Sequence, residues 1–439
     1  MAKTTVPCNF SWLSKHRSLL FGAAIILVLI LCALFFLSGS RSSAARSAKS
    51  VSASDGVTSQ NCSIRVDDVD LEFDPPNSTF YDDPSLSYSL NKPIQNWDEK
   101  RREWLQNHPS FAAGARDRVL LLTGSQPSPC KNSNGDHLML RSFKNKVDYC
   151  RIHGCDVFYS NTFLHPKMRS YWAKLPLVRA AMVAHPEAEW IWWVDSDAVF
   201  TDMEFKLPLR RYNDHNLVVH GWAHLIYRKR SWVGVNAGVF MIRNCQWAMD
   251  FIQVWANMGP QSPDFKKWGR IQKATFPDKM FPESDDQSAL IYLMLKEKEK
   301  WTDKIYVEGE YYFQGYWLDV VGTLDNVTAS YVEIEEGVRM LRRRHAEKEA
   351  ESYAALRETY LSDAGYGRGS WRRPFITHFT GCQPCNGEHN PAYKGEFCWV
   401  GMERALNFAD NQVLRRYGFV HPHLQESSSV SALPFDVPA

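Results

Sequence analysis

The chain has 439 residues, and its 51 basic and 49 acidic side chains leave a formal net charge of only +2. This near balance gives no field that would attract nucleic acid, so we expect no nucleic-acid partner. Hydrophobic residues make up 44% of the sequence, which suffices for one large or two smaller folded domains and excludes a disordered or fibrous protein. The 16 tryptophans and 18 tyrosines favour a carbohydrate ligand, although most of these rings are expected to pack in the core.

An uncharged apolar segment lies near the amino terminus. It runs from Leu19 to Leu37, a length close to the ~20 residues that cross a bilayer as a helix. A cleaved signal peptide has a shorter apolar region of ~7–15 residues. We therefore predict a transmembrane signal-anchor at residues 19–37, after a cytosolic tail at residues 1–18. The basic residues flanking the segment are equal in number on the two sides and do not set its orientation.

The rest of the sequence favours a luminal position for the large C-terminal part. The short segment before the anchor contrasts with the long one after it, which carries glycosylation sequons at Asn61, Asn77 and Asn326. A fourth sequon, at Asn9, would then lie in the cytosol and stay unmodified. Residues 38–75 are predicted to form a stem, because they begin with a Ser- and Ala-rich stretch without hydrophobic periodicity.

Eight of the ten cysteines follow the anchor, where an oxidising lumen would pair some of them. Cys382 and Cys385 could form half of a zinc site, but no second Cys-x-x-Cys motif accompanies them. A disulfide with the nearby Cys398 is the interpretation that we favour.

Helical patterns alternate with buried-strand patterns from residue 97 onwards. The first strand, Val119–Leu122, is a continuous apolar run that opens into a loop at Thr123-Gly-Ser125, which would face a ligand. Such alternation predicts an α/β sheet in a luminal domain at residues 76–425, followed by a tail at residues 426–439. The predicted helices are Trp97–His108, Leu138–His153, Lys174–His185, Gln246–Asn257 and Gln287–Lys296. The other predicted strands are Asp156–Ser160, Trp190–Val194, Asn216–His220, Gly238–Ile242, Lys304–Val307 and Phe375–His378.

Residues 331–361 are rich in charge. Ile334, Val338 and Leu341 recur at helical spacing within this segment. The pattern predicts an amphipathic helix with a solvated charged face, and a surface that binds polysaccharide or a partner is the alternative.

Two carboxylates follow the very apolar strand predicted at Trp190–Val194. Asp195 and Asp197 lie two positions apart, and burying an unpaired carboxylate is costly. We therefore expect them to bind Mn²⁺ or Mg²⁺, whose remaining positions would take diphosphate oxygens. A lone Asp-x-Asp usually forms a turn or a helix cap, but its place after a buried strand favours the metal site.

A second acidic motif precedes the apolar helix predicted at Gln287–Lys296. Ser284 or Asp285 could simply cap that helix, but capping needs only one residue. The further presence of Asp286 and Gln287 predicts a catalytic group that orients a sugar hydroxyl or supports positive charge at an anomeric carbon.

A histidine follows the apolar residues of the last predicted strand. His378 could be structural, as most single histidines are, but a neutral imidazole is also a good Mn²⁺ ligand beside two carboxylates. Gly381, three positions later, would let the backbone approach a phosphate.

Eight short motifs together resemble plant glycosyltransferase family 34. The family contains galactomannan α-1,6-galactosyltransferases and xyloglucan α-1,6-xylosyltransferases, and the resemblance covers roughly residues 80–425. The motifs are Asp195-Ser-Asp197, Phe200-Thr-Asp202, His215-Asn-Leu-Val218, Arg243-Asn-Cys-Gln-Trp247, Asp285-Asp-Gln-Ser-Ala289, Thr377-His-Phe379, Gly381-Cys-x-Pro-Cys385 and Asn407-Phe-Ala-Asp-Asn-Gln412.

The resemblance implies a GT-A fold, in which a Rossmann-like nucleotide-binding sheet is joined to a C-terminal acceptor-binding part. It also implies a type II Golgi membrane protein that uses Mn²⁺ (or Mg²⁺) and a UDP-sugar donor. Asp195, Asp197 and His378 would hold the metal. Asp285, Asp286 and Gln287 would lie near the transferred sugar, and Thr123, Gly124, Ser125, Asp148, Lys174, Ser196 and Gly381 near the nucleotide.

Two branches of the family differ in donor and acceptor. The xylosyltransferase branch has a histidine where this chain has Gln314, and the sequence around Phe80, Trp97 and Arg342 looks closer to the galactosyltransferase branch. The predicted reaction therefore transfers α-galactose from UDP-galactose to a 6-hydroxyl of a β-1,4-mannan. Transfer of xylose from UDP-xylose to the glucan backbone of xyloglucan is the alternative.

The family transfers sugars with retention of anomeric configuration. Retention could use Asp285 or Asp286 as a transient nucleophile, or attack from the face of the leaving group. A homodimer or a complex with a polysaccharide synthase is the expected assembly. A non-catalytic scaffold subunit and a luminal carbohydrate-binding protein are alternatives from other functional classes.

Overall fold

The structure, a computed structural model, describes residues 83–341, 350–367, 369–385, 388–389, 393 and 395–433. The predicted anchor, the predicted stem and the sequons at Asn61 and Asn77 lie outside these residues. No helix in the described part of the chain is both long enough and apolar enough to cross a bilayer.

The described residues form a mixed α/β structure, as the alternating patterns predict. In chain order the strands are β1 (Val119–Gly124), β2 (Asp156–Ser160), β3 (Trp190–Val194), β4 (Ala198–Phe200), β5 (Leu217–Gly221), β6 (Val235–Arg243), β7 (Ile305–Glu308), β8 (Gly315–Tyr316), β9 (Ile376–His378), β10 (Cys382–Gln383), β11 (Glu388–His389), β12 (Phe419–Val420) and β13 (Ser431–Ala432).

Helices connect and cover these strands. They are α1 (Trp97–Asn107), α2 (Pro109–Ala112), α3 (Ser133–His153), α4 (Lys174–Ala184), α5 (Gln246–Ala256), α6 (Phe265–Thr275), α7 (Asp286–Lys296), α8 (Lys298–Trp301), α9 (Trp317–Val320), α10 (Leu324–Gly337), α11 (Ala350–Glu358) and α12 (Gly395–Leu414).

The main sheet has six strands in the order β2-β1-β3-β6-β5-β7. Strand β6 is antiparallel to both of its neighbours, and the other neighbouring pairs are parallel. The carboxyl ends of β1, β3 and β5 therefore meet the start of β6 at one edge of the sheet. This edge collects the loops in which an α/β protein binds its ligands.

Strand β3 shows why the central strands are continuous apolar runs. Ile191 and Trp193 join a hydrophobic core on one face of the sheet, whereas Trp192 and Val194 join a second core on the other face. Because both faces are covered, side chains that alternate in direction must all be apolar.

Some elements differ from the sequence prediction. Helix α3 begins at Ser133, five residues early, because the Asn132 side chain accepts a hydrogen bond from Gly135 N at 2.6 Å and caps it. Helices α6 and α12 were not predicted. The helix expected on Ile334, Val338 and Leu341 instead ends at Gly337.

A smaller sheet, with the order β4-β9-β8, lies next to the end of β3. In it β4 runs antiparallel to β9, and Ala198 pairs with His378. A disulfide joins Cys382 to Cys398, as predicted, and further disulfides join Cys130 to Cys385 and Cys150 to Cys155.

The last described residues belong to the same fold, although residues 426–439 were predicted to form a tail. Strand β13 pairs with β12, and Ser427 Oγ accepts a hydrogen bond from Arg141 at 2.8 Å. The folded part therefore extends past residue 425. Short polar stretches such as this one carry no periodicity from which their pairing could be predicted.

Candidate active site

Three potential metal ligands meet at the ligand-facing edge of the main sheet. Asp195 follows β3, Asp197 precedes β4, and His378 ends β9. His378 Nε2 lies 3.2 Å from an oxygen of Asp197 and 3.7 Å from an oxygen of Asp195. Ligand atoms from the three side chains all lie within 4.8 Å of one another. The structure thus brings together the three residues that the sequence predicts as ligands.

A glycine provides the space in which these side chains meet. Gly238 lies in β6 beside the end of β3, and its carbonyl accepts a hydrogen bond from Asp195 N at 2.8 Å. A Cβ at this position would overlap the His378 ring and lie 2.6 Å from Asp195 Oδ2. Two carboxylates and an imidazole in a cradle that only glycine leaves open fit the divalent metal that the resemblance implies.

A buried ion pair links the second acidic motif to these ligands. Lys174 Nζ lies 2.9 Å from Asp286 Oδ2 and 3.4 Å from Asp195 Oδ1, and it donates to Ala237 O at 2.9 Å. Burial acts to lower the pKa of Lys174, but the two carboxylates outweigh burial and hold it above its usual range. Burial raises the pKa of Asp286 to about 6, against the opposing effect of Lys174. Lys174 is therefore a fixed positive charge beside the proposed metal position.

Asp285 has a different environment from its neighbour Asp286. Its Oδ1 accepts a hydrogen bond from Ser288 N at 2.8 Å, which caps α7, and its Oδ2 accepts one from Ser288 Oγ at 2.6 Å. Lys279 forms a buried ion pair with the same carboxylate. The structure thus gives Asp285 the capping role that was the alternative, and leaves Asp286 as the carboxylate that faces the metal ligands.

Gln287 fixes the backbone beside the site. Its side-chain oxygen accepts a hydrogen bond from Ala237 N at 3.2 Å, and its side-chain nitrogen donates to Trp232 O at 2.8 Å. Ala237 precedes Gly238, so Gln287 holds the part of β6 that forms the cradle. Its predicted place near the transferred sugar stays a prediction.

The end of β1 and the residue that follows it reach the same edge of the sheet. Gly124 is required there, because a Cβ would overlap the backbone carbonyl of Ser160 on the neighbouring strand. The hydroxyl of Thr123 is buried and has no hydrogen-bond partner in the described part of the chain. Ser125 Oγ lies 2.5 Å from the hydroxyl of Tyr159. Thr123 and Gly124, which were predicted to lie in the loop, belong to β1, and Ser125 is the first residue after the strand.

Two further residues predicted near the nucleotide lie beside the metal ligands in sequence. Ser196 stands between the two aspartates, and its carbonyl accepts a hydrogen bond from Lys146 Nζ at 3.3 Å. Gly381 follows His378 by three residues and has a φ of 83°, a conformation that favours glycine.

The structure does not bring Asp148 to this site, which corrects the prediction. Its carboxylate pairs with Lys144 at 2.6 Å, and Lys144 also pairs with Asp410 of α12 at 2.8 Å. Lys146, two positions earlier and therefore ~200° around the helix, is the α3 residue that faces the site. Sequence reasoning missed both Lys146 and Gly238, because their roles depend on contacts between distant segments.

Two exposed aromatic rings stand near the same edge of the sheet. Tyr171, 40% exposed, precedes α4, and Trp222, 43% exposed, follows β5. Burial of its hydroxyl, together with the charges of Asp285 and Asp286, raises the pKa of Tyr171 to about 12. Trp222 packs edge-on against His220. Amphipathic rings of this kind suit a hydroxyl-rich ligand.

Comparison with known proteins identifies the family. Residues 115–389 match the galactosyl transferase GMA12/MNN10 family, glycosyltransferase family 34. Glycosyltransferase 6 of Arabidopsis thaliana is 64% identical over 85% of this chain and 87% of its own length. Galactomannan galactosyltransferase 1 of Cyamopsis tetragonoloba is 62% identical over 84% of this chain and 83% of its own. Probable xyloglucan 6-xylosyltransferase 3 of Arabidopsis thaliana is 45% identical over 79% of this chain and 68% of its own. The chain belongs to this family and is a glycosyltransferase, which confirms the resemblance.

Proposed function

We propose that the chain is a metal-dependent retaining galactosyltransferase that transfers galactose from UDP-galactose to the 6-hydroxyl of a β-1,4-mannan. The observation that carries this proposal is the meeting of Asp195, Asp197 and His378 beside the Lys174–Asp286 pair in a family 34 chain. Its higher identity to the galactomannan enzyme supports galactose as the sugar. Xylose transfer to a glucan is the second candidate, supported by the relative of that name.

The site residues bind and orient the donor in this proposal. Asp195, Asp197 and His378 would hold Mn²⁺ or Mg²⁺, which when bound neutralises charge on the departing diphosphate. Lys174 places a second positive charge next to that position. Because the buried hydroxyl of Thr123, at the end of β1, has no partner among the residues that the structure describes, this strand end offers a polar contact for the nucleotide.

Transfer breaks the bond between the anomeric carbon and the diphosphate and forms one to the acceptor oxygen. Asp286 supports the positive charge that develops on the anomeric carbon. Asp285 is engaged by Ser288 and Lys279, and one oxygen of Asp286 is paired with Lys174. In the proposed route, the proton of the acceptor hydroxyl passes to an oxygen of the departing UDP, on the face from which UDP leaves. This route retains the anomeric configuration.

We also propose that the catalytic domain adopts a GT-A fold and lies in the Golgi lumen, anchored by residues 19–37. Three disulfides among the described cysteines support an oxidising compartment. Asn326, exposed on α10, is accessible for glycosylation. Assembly as a homodimer or with a polysaccharide synthase stays a prediction.

A screen of donors and acceptors tests the proposed reaction. Microsomes that contain the full-length chain are incubated with Mn²⁺ and either UDP-galactose and mannohexaose or UDP-xylose and cellohexaose. Microsomes with Asp197→Ala give the background. We expect galactosylated mannohexaose, with an α-1,6 linkage by NMR, as the main product. Xylosylated cellohexaose as the main product would favour the second candidate, and no product above background from either pair would contradict both.

A further inference from the structure

The strand that follows the two aspartates has only one neighbouring strand in the described part of the chain. Strand β4 pairs with β9, and odd-numbered residues face that partner: Asp197 O accepts from Phe379 N at 3.0 Å, and Thr201 N donates to Phe375 O at 2.9 Å. The backbone of the even-numbered residues 196, 198 and 200 therefore faces the open edge. An open edge of this kind needs other partners when it is buried.

Side chains supply those partners. Asn145 of α3 donates to Phe200 O at 2.9 Å and accepts from Phe200 N at 2.8 Å. Gln412 of α12 donates to Thr201 O at 2.8 Å and accepts from Met203 N at 3.0 Å. Lys146 is the third side chain, and it donates to carbonyls of Ser196 and Ala198. Asn145 and Lys146 act together as a substitute for a missing strand along β4, whereas Gln412 binds the segment just after it, and we call the three side chains the side-chain edge.

Lys146 is the member of the side-chain edge nearest to the metal ligands. Its Nζ donates to Ala198 O at 2.7 Å and to Ser196 O at 3.3 Å, and Ser142 O lies at 3.5 Å. The side chain is 1% exposed. Three carbonyl acceptors match the three protons of an ammonium group. Since residues 196 and 198 flank Asp197, one buried positive charge fixes the backbone on both sides of a proposed metal ligand.

We propose that Lys146 is a positioning residue of the metal centre, which holds the backbone around Asp197 in its ligating arrangement before the metal binds. This inference rests on the proposed metal site at Asp195, Asp197 and His378. The partners of Lys146 are backbone carbonyls, so it acts through the segment that carries Asp197 and not on substrate or metal. Gln412 binds the same segment farther from the ligands, through an uncharged amide. If Lys146 had only a structural role, replacing either side chain would affect metal binding equally.

Binding of Mn²⁺ alone separates these roles. Full-length protein in detergent is titrated with Mn²⁺, free Mn²⁺ is followed by electron paramagnetic resonance, and thermal unfolding is recorded in parallel. We expect Lys146→Met to weaken Mn²⁺ binding ~10-fold or more, as loss of groups that orient metal ligands commonly does. The matched variant Gln412→Leu should lower the unfolding midpoint but bind Mn²⁺ as the wild type does. Lys146→Gln, which keeps a donor without the charge, decides the question if Lys146→Met does not fold, and should also bind Mn²⁺ more weakly.

Wild-type Mn²⁺ affinity in a folded Lys146 variant would overturn the inference, and so would an equal loss in Gln412→Leu. Asp197→Ala distinguishes failure of the inference from failure of the metal site. If Asp197→Ala loses Mn²⁺ binding while the Lys146 variants keep it, only the positioning role is wrong. If Asp197→Ala itself binds Mn²⁺ normally, both the metal site and the inference are overturned.

Discussion

Replacing Gly238 with alanine tests how the candidate metal centre is built. The added Cβ would lie 2.6 Å from Asp195 Oδ2, 3.0 Å from Asn236 Oδ1 and closest of all to the ring of His378. Real Cβ atoms essentially never approach another heavy atom closer than 3.0 Å. Two of the three proposed ligands must therefore move, or the backbone of β6 must.

The size of the effect follows from this geometry. The shortfall at Asp195 is 3.0 − 2.6 = 0.4 Å, and the overlap at His378 is larger. Metal–ligand distances tolerate only ~0.2 Å. Disturbing the groups that orient metal ligands typically costs ~10–100-fold in metal affinity. We therefore expect Gly238→Ala to bind Mn²⁺ ~10–100-fold more weakly, which corresponds to ~1.4–2.7 kcal/mol.

Isothermal titration of Mn²⁺ into the full-length protein measures this change directly. Gly322→Ala is the matched control, because a Cβ at Gly322 would meet no atom within 4 Å and the residue has no positive φ. The control should bind Mn²⁺ as the wild type does. If Gly238→Ala bound Mn²⁺ with wild-type affinity, the argument that His378 and Asp195 form the metal centre against Gly238 would be refuted.

Three further predictions concern pH, topology and donor choice. Burial lowers the pKa of His220 to about 4, below its ordinary ~6.5. The contribution of neutral His220 to the free energy of unfolding is therefore fully present above pH ~6.5, and up to ~3 kcal/mol of it is lost as the pH drops towards about 4. His220→Gln should remove this dependence in urea unfolding at several pH values, and an unchanged slope would assign it to other groups. Endoglycosidase should increase the gel mobility of the full-length chain, with a smaller shift for Asn326→Gln; full digestion of the domain by protease outside intact vesicles would contradict a luminal position. Gln314, buried just before β8, is expected to contact the donor sugar, so Gln314→His should lower the ratio of UDP-galactose to UDP-xylose use ~10-fold, and an unaltered ratio would remove it from donor selection.

Local patterns were sufficient to predict the main-sheet strands beside the site, but not β4, the three-residue strand that follows Asp197. Both bounds of Trp190–Val194 agree with the structure, because a strand covered on both faces must be apolar at every position. The same burial makes the following carboxylates, Asp195 and Asp197, conspicuous. The prediction of His378 as a third ligand depended on the resemblance, since one histidine after a strand indicates little by itself.

The roles of several site residues depend on contacts between distant segments, which local sequence patterns do not predict. Gly238 and Lys146 resemble an ordinary strand glycine and an ordinary helix lysine, and only the crossing of distant segments gives them their positions beside Asp195 and Asp197. The motif that contains Gln412 was recognised in the sequence, but its role in binding the segment after β4 needs the fold. Local sequence also left the capping and catalytic roles of Asp285 open, until both of its oxygens were seen to be engaged.

UDP binding by wild type and Asp197→Ala tests the central claim most directly. Calorimetric titration of UDP into each full-length protein, once with Mn²⁺ and once with EDTA, measures whether a metal held by the site binds the diphosphate. We expect the wild type to bind UDP with Mn²⁺ and to lose most of its affinity in EDTA. Asp197→Ala should bind UDP weakly under both conditions, because the ligand beside His378 is missing. Equal UDP affinity of the two proteins in Mn²⁺ would contradict a metal-dependent transferase built on Asp195, Asp197 and His378.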